Sequence, residues 1–321
     1  MVTILKSFFK KYGAILLTLL LLVYIAFLFS SEQDSLQMAI EKAVETLSLP
    51  FIGGLLLLSI VNYIMRGLRW HLLASQFADK YSLKHAFWDY FAGFAFTVTP
   101  AKAGELIRSH YLTKRFGLRY IYTIIPSLYD RINDFLVLFL VTLLGSLFYY
   151  FEIWVLAILL FVGILFFTFF ISPPKLICFI KMAYAPFKIM PKAFAKLMLF
   201  CRYCNSLKSA RVRILAFIMG LIGWGAEFYA FYILCSLFGL PISFTEASFI
   251  FSASTIAGSL LMTPGGTGGA EAAMAGLLMV SSGASAPLAA VLTIIIRITT
   301  LWFSVLLGVV TLLFHRIERK N

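Results

Sequence analysis

Apolar runs long enough to cross a bilayer, set between short basic stretches, constrain this chain more than any other feature. They cover Ala14 to Phe29, Phe51 to Met65, Ile132 to Phe151, Trp154 to Ile171, Ile214 to Phe238 and Leu288 to Phe314. A hydrocarbon core about 30 Å thick needs roughly 20 apolar residues per helix, so these runs predict six crossings. With 61% hydrophobic and 13% charged residues, the chain lacks the polar side chains that a water-facing surface requires. The expected fold is an all-α polytopic membrane protein, residues 1–321 forming a single membrane domain without a soluble domain.

A formal charge of +13 raises the question of nucleic acid. The basic residues are scattered through short loops with no groove-reading module around them, so no nucleic-acid partner is expected. They read instead as topology. Lys6, Lys10 and Lys11 precede the first run, whereas Glu32, Asp34, Glu41 and Glu45 follow it, which places the N-terminus in the cytoplasm. Alternation then puts Arg66, Arg69, Lys80, Lys84, Lys114, Arg115 and Arg119 on the inside, together with Arg316, Arg319 and Lys320. The loop 172–213 also falls inside, and its alternating basic and apolar residues resemble interfacial helices lying on anionic lipid. The outer loops hold one basic residue, Lys42. The split predicts an inner (cytoplasmic) membrane protein with both termini inside. Ser30, Ser31 and Glu32 form no small-residue cleavage site, which favours a retained first helix over a cleaved signal peptide.

Two further segments, His85 to Lys114 and Ala247 to Ser281, are apolar but interrupted by Pro and Gly. Neither arm is long enough to cross as an ordinary helix. Charges on both sides of the first demand that it enter and leave on the cytoplasmic face, and alternation makes the second enter from outside. The prediction is two broken re-entrant hairpins within an inverted repeat, with halves at 14–151 and 154–314. Spacing supports the repeat. The first hairpin turns at Thr99-Pro100 and continues to Gly104-Glu105; the second turns at Thr263-Pro264, runs through Gly265, Gly266 and Gly268, and continues Gly269-Ala270-Glu271. Glu105 precedes Arg131 by 26 residues, and Glu271 precedes Arg297 by 26.

An ionisable side chain near the bilayer centre costs at least about 3 kcal/mol on insertion scales. Even so, Glu105, Arg108, Asp130, Arg131, Asp134, Glu227, Glu271 and Arg297 all fall in or beside apolar runs, with Lys102 close by. Such residues must face one another or water. A static salt-bridge network locking helices together is one reading; a polar cavity that binds substrate is the preferred one, because a bundle of equal stability needs no buried charge. Helices beginning after Pro100 and near Ala270 would aim their positive N-terminal ends at the membrane interior, where they suit an anion. Close helix packing is the plainer role for the glycines. The candidate substrate-binding set is therefore Lys102, Glu105, Arg108, Asp130, Arg131, Asp134, Glu271 and Arg297, with a phosphate-bearing ligand in view. Cys201 and Cys204 have the gap of half a zinc site, but Cys178 and Cys235 are distant and the four histidines show no ligand spacing, so no metal is expected.

Four segments carry a family resemblance: Arg66-Gly67-Leu68-Arg69-Trp70, Pro100-Ala101-Lys102-Ala103-Gly104-Glu105-Leu106-Ile107-Arg108, Asp130-Arg131-Ile132-Asn133-Asp134 and Pro264-Gly265-Gly266-Thr267-Gly268-Gly269-Ala270-Glu271. In this order they resemble the lysylphosphatidylglycerol synthase transmembrane-region family, also described as flippase-like. The resemblance implies movement of a phospholipid or a polyprenyl-linked, phosphate-bearing lipid between leaflets. Synthase members carry a soluble catalytic domain after the membrane region, whereas this chain ends at Asn321, so synthesis of aminoacylated lipid is not expected. No phosphate-binding loop for ATP is present and no cofactor is expected. The expected partners are anionic or isoprenoid-phosphate membrane lipids, and a homo-oligomer is compatible with the sequence. The alternative is an enzyme, a polyprenyl-phosphate-dependent glycosyltransferase in which Asp130 and Asp134 hold a divalent metal. A scaffold with a closed polar centre is a third reading.

Overall fold

The computed structural model describes residues 33–99, 104–146, 163, 209–260 and 264–314. The apolar runs Ala14 to Phe29 and, apart from Gly163, Trp154 to Ile171, with Pro100, Lys102, Thr263, residues 172–208 of the basic loop with Cys178, Cys201 and Cys204, and Arg316 to Lys320 lie outside them. Among the described residues the chain is helical, with no strand. Ten α-helices follow in order within these residues: α1 (Gln33–Thr46), α2 (Leu49–Ala74), α3 (Leu83–Phe94), α4 (Ile107–Phe116), α5 (Tyr120–Ser146), α6 (Ala210–Leu237), α7 (Phe244–Leu260), α8 (Gly269–Ser282), α9 (Ala286–Arg297) and α10 (Phe303–Phe314). A π-helical turn, Ile298–Trp302, joins α9 to α10 as one continuous rod.

Among the described residues three rods, Leu49–Ala74, Ala210–Leu237 and Ala286–Phe314, are long and apolar enough to cross a membrane. At 1.5 Å per residue each spans about 40 Å. Helix α5 has the length too, at 27 residues, but carries Asp130, Arg131 and Asp134 at its middle. Local chemistry sets the ends. The hydroxyl of Ser48 accepts the Phe51 N–H at the start of α2, with Pro50 in the first turn; Ser82 and Ser209 cap α3 and α6 in the same way. Helices α4 and α8 stop at Gly117 and Gly283, both left-handed.

The boundaries differ from the hydropathy runs where charge interrupts them. Helix α2 continues nine residues past Met65 and α5 begins at Tyr120, twelve before the apolar run. Residues 33–46, expected as an outer loop, form α1, which buries Ala39 and Ala43 and packs on α9.

Both interrupted segments are helical hairpins, α3 with α4 and α7 with α8. Helix α2 lies along α6, α5 along α7, and α10 against α3, so the hairpins pack among the long rods and are not peripheral. Helix α6 shows the solvent reversal that lipid imposes. Ile214, Ile218, Ile222 and Tyr229 are exposed on one face, while Trp224, Glu227 and Phe231 are buried on the other. Charge turned inward and apolar surface turned outward is the pattern of a helical membrane protein.

Candidate functional site

The polar centre is built on three helices and one turn. Helix α2 contributes Arg66 and Arg69; α5 contributes Asp130, Asn133 and Asp134, three and four residues apart and hence on one face. Arg69 is fully buried and uses all three of its nitrogens. Its Nε donates to Asp130 (2.7 Å), one terminal nitrogen to Asn133 (2.8 Å) and the other to Asp134 (2.7 Å). Arg66 donates to the second oxygen of Asp134 (2.8 Å), and the Trp224 indole N–H donates to the first (3.1 Å). From α4, Arg108 donates to Asp130 (3.0 Å) and Glu105 (2.8 Å), and lies over the rings of Tyr90 and Trp70 at 4.4 and 5.2 Å. Glu105 also accepts from the Thr97 hydroxyl (3.0 Å) and from Arg131, whose side chain is a quarter exposed. All four oxygens of Asp130 and Asp134 thus accept N–H donors.

So dense a cluster requires close approach of α6. A Cβ on Gly220 would lie 2.3 Å from the Asn133 side-chain oxygen and 3.0 Å from Arg69. Glycine there makes room for the network.

The second hairpin holds a simpler arrangement. Arg297, the last residue of α9, donates from Nε to Glu271 (2.7 Å) and from a terminal nitrogen to the Gly265 carbonyl (3.0 Å). Gly265 sits at φ +67° in the turn between α7 and α8, a backbone state that glycine adopts without strain. Glu271 is buried, and its second oxygen has no hydrogen-bond partner among the described residues. It occupies the first turn of α8, where the helix dipole favours an anion. That end of α8 is therefore already met by a carboxylate of the chain itself. The π turn follows directly, and the Tyr63 hydroxyl donates to its Thr300 carbonyl.

Between the two hairpins lies a cavity of about 50 Å³, enough for a few waters. Arg66, Glu105, Glu227 and Arg297 line it with Tyr63, Thr97, Thr255, Thr300 and Ser304; Trp224, Phe94, Phe251 and Leu301 close the wall. One arginine comes from the network and one from α9, where it pairs with Glu271 of the second hairpin.

Of the residues expected at the site, Glu105, Arg108, Asp130, Arg131 and Asp134 form one connected ionic network, and Glu271 with Arg297 forms a separate pair. Both 26-residue spacings close as ion pairs. Glu105 precedes α4, in the single tight turn Gly104–Leu106, and is not within that helix. Arg66 and Arg69 were expected as cytoplasmic loop charges and are instead buried in α2. A hydropathy window ends at the first charge, while the partners that make these charges tolerable are more than sixty residues away. Their three-residue spacing directly behind an apolar run was the available signal. Sequence reasoning also missed the pair Asp89–Arg115 (3.2 Å), which the Tyr81 hydroxyl joins by donating to Asp89 (2.8 Å). Arg115 was expected as a cytoplasmic flank of the hairpin. With Arg66 and Arg69 included, five acids (105, 130, 134, 227, 271) meet five arginines (66, 69, 108, 131, 297) among the described residues.

Comparison with known proteins agrees with the four motifs. A curated relative, the UPF0104 membrane protein of Methanothermobacter thermautotrophicus, is 34% identical over 94 residues, which is 29% of this chain and 28% of that protein. The aligned part thus spans little more than a quarter of that relative. The family model described as the lysylphosphatidylglycerol synthase TM region matches residues 13–308, nearly the whole chain. The chain belongs to the lysylphosphatidylglycerol synthase transmembrane-region family.

Proposed function

We propose that this protein is a lipid flippase, moving a phosphate-bearing lipid, either a phospholipid or a polyprenyl-linked one, between the leaflets of the inner membrane. In this reading six helices cross the bilayer and the two hairpins enter from opposite faces as halves of an inverted repeat, with both termini cytoplasmic. The observation that carries it is the cavity where Arg66 and Arg297 face one small polar space from different hairpin systems. Guanidinium groups match phosphate oxygens in geometry and stay charged at any physiological pH. Hydroxyls of Thr97, Thr255, Thr300 and Ser304 add neutral donors around the same space. Two acid–arginine pairs at equal sequence spacing, each tied to its own broken hairpin, support the repeat, and transporters of inverted-repeat design bind substrate at such breaks. The alternative, an enzyme with metal on Asp130 and Asp134, gains no support here, because a cation would have to displace the arginines holding their four oxygens.

The test is reconstitution into phosphatidylcholine vesicles carrying a trace of fluorescent phosphatidylglycerol or fluorescent polyprenyl phosphate, with an impermeant quencher reading the outer leaflet. Wild-type protein should accelerate exchange of at least one probe, and Arg297→Ala should slow it by at least about tenfold, the worth of one charge-assisted hydrogen bond. Failure to move any phosphate-bearing probe would overturn the reading.

A further inference from the structure

We propose that the transported phosphate crosses together with a proton, taken up by Glu271 when Arg297 lets go of it to hold the lipid. This rests on the transport reading above and adds its energy source. The charge count supplies the reason. Among the described residues the polar centre holds the five acids and five arginines, a neutral set of which Arg66, Arg297, Glu105 and Glu227 line the cavity, and an arriving phosphate would leave it with net negative charge in a low-dielectric interior. Buried charge of that kind persists only when it is paired or neutralised.

The geometry selects the group that takes the proton. Asp130 and Asp134 accept N–H donors on every oxygen, and Glu105 accepts on both of its own. Glu271 has one oxygen on Arg297 and the other buried with no hydrogen-bond partner among the described residues. Arg297 already lines the cavity, and its bonds are to one carboxylate outside the dense network and one glycine carbonyl, whereas Arg66, the other arginine on the cavity, holds Asp134 inside that network. In the proposed step the Arg297–Glu271 contact breaks, an Arg297–phosphate contact forms, and a proton from water binds the free oxygen of Glu271. On release the proton leaves to the opposite side and the original pair closes. The cluster keeps its net charge throughout.

Glu271 is paired with Arg297 from α9, and the other charged and titratable groups on the cavity that Arg297 lines are Glu227 from α6, Tyr63 and Arg66 from α2, and Glu105 from the first hairpin. Helix α7 brings none at this end. Its one acid, Glu246, lies at the far end of the hairpin, where the Ser281 hydroxyl donates to it. The carboxylates that line the cavity are Glu105 and Glu227, and Glu227 serves as the control.

The experiment uses the full chain in phosphatidylcholine vesicles with a trace of fluorescent phosphatidylglycerol and an imposed pH gradient. One proton per singly charged lipid predicts accumulation in the leaflet facing the alkaline side, approaching tenfold per pH unit. Glu271→Gln should bring that ratio to one, and Glu271→Asp should keep a gradient response, which separates loss of the titrating group from loss of fold. A wild-type protein that equilibrates the probe indifferently to the gradient overturns the proton step and leaves the transport reading standing, whereas absence of any movement removes the transport reading itself. A Glu271→Gln protein that still follows the gradient, or a Glu227→Gln protein that alone loses it, overturns the assignment to Glu271.

Discussion

The two hairpins carry the same motif, an acid at the break and an arginine 26 residues on, yet they embed it differently. In the first, Glu105 and Arg131 belong to a network with Arg66, Arg69, Arg108, Asp130 and Asp134. In the second, the positions equivalent by the same offset of 166 residues are apolar or neutral: Met274 for Arg108, Ile296 for Asp130 and Thr300 for Asp134. What differs is the number of partners, and with it the ease of change. A guanidinium tied to three acceptors cannot leave without stranding several charges, whereas one tied to a carboxylate and a carbonyl can exchange both for a phosphate. The first hairpin is suited to be scaffold and the second to be the moving part.

The sharpest way to break this contrast is Arg69→Met, which takes one arginine from each of Asp130 and Asp134 at once in a buried site. It should cost about 3–5 kcal/mol and leave little folded protein by thermal melting in detergent. Arg297→Met should cost less, about 2–3 kcal/mol, because it leaves one carboxyl that can take up a proton, while abolishing lipid movement in vesicles. Equal losses of stability in these two variants would erase the distinction between scaffold and moving part. Gly220→Ala forces a Cβ against Asn133 and Arg69 and should lower stability by about 1–2 kcal/mol, with Gly225→Ala, whose Cβ meets nothing within 4 Å, as the neutral control. Arg131→Met should have the smallest effect, under about 1 kcal/mol, since Arg131 is a quarter exposed and Glu105 retains Arg108 and Thr97.

Much of this contrast was legible in sequence. Pro and Gly at the breaks, the acids that follow and the common spacing to Arg131 and Arg297 all point to paired hairpins, and the structure closes both pairs. The network's density was not legible, for a physical reason. Arg66 and Arg69 are read as loop residues by any argument that weighs hydropathy along the chain, because the acids that offset their burial lie on α5. Likewise Glu227 is an isolated acid in an apolar run until the packing of α6 against α2 brings it to the cavity. The helix N-termini were expected to await an anion, but at α8 the chain's own Glu271 sits in the first turn. Local signals located the breaks, and only distant pairing could show which charges are held fast.

The widened turn at Ile298–Trp302 sets the phase of the last rod. A π turn inserts one extra residue, which rotates everything beyond it by about 100° relative to an unbroken α-helix. Arg297 looks toward Glu271 while α10 seats its own buried face, Ser304, Val305 and Gly308, only because of that added rotation. Removing a single residue from the turn would swing the arginine off its target without altering the composition of any contact surface. The rod's helical register is therefore as much a determinant of the site as the side chains themselves.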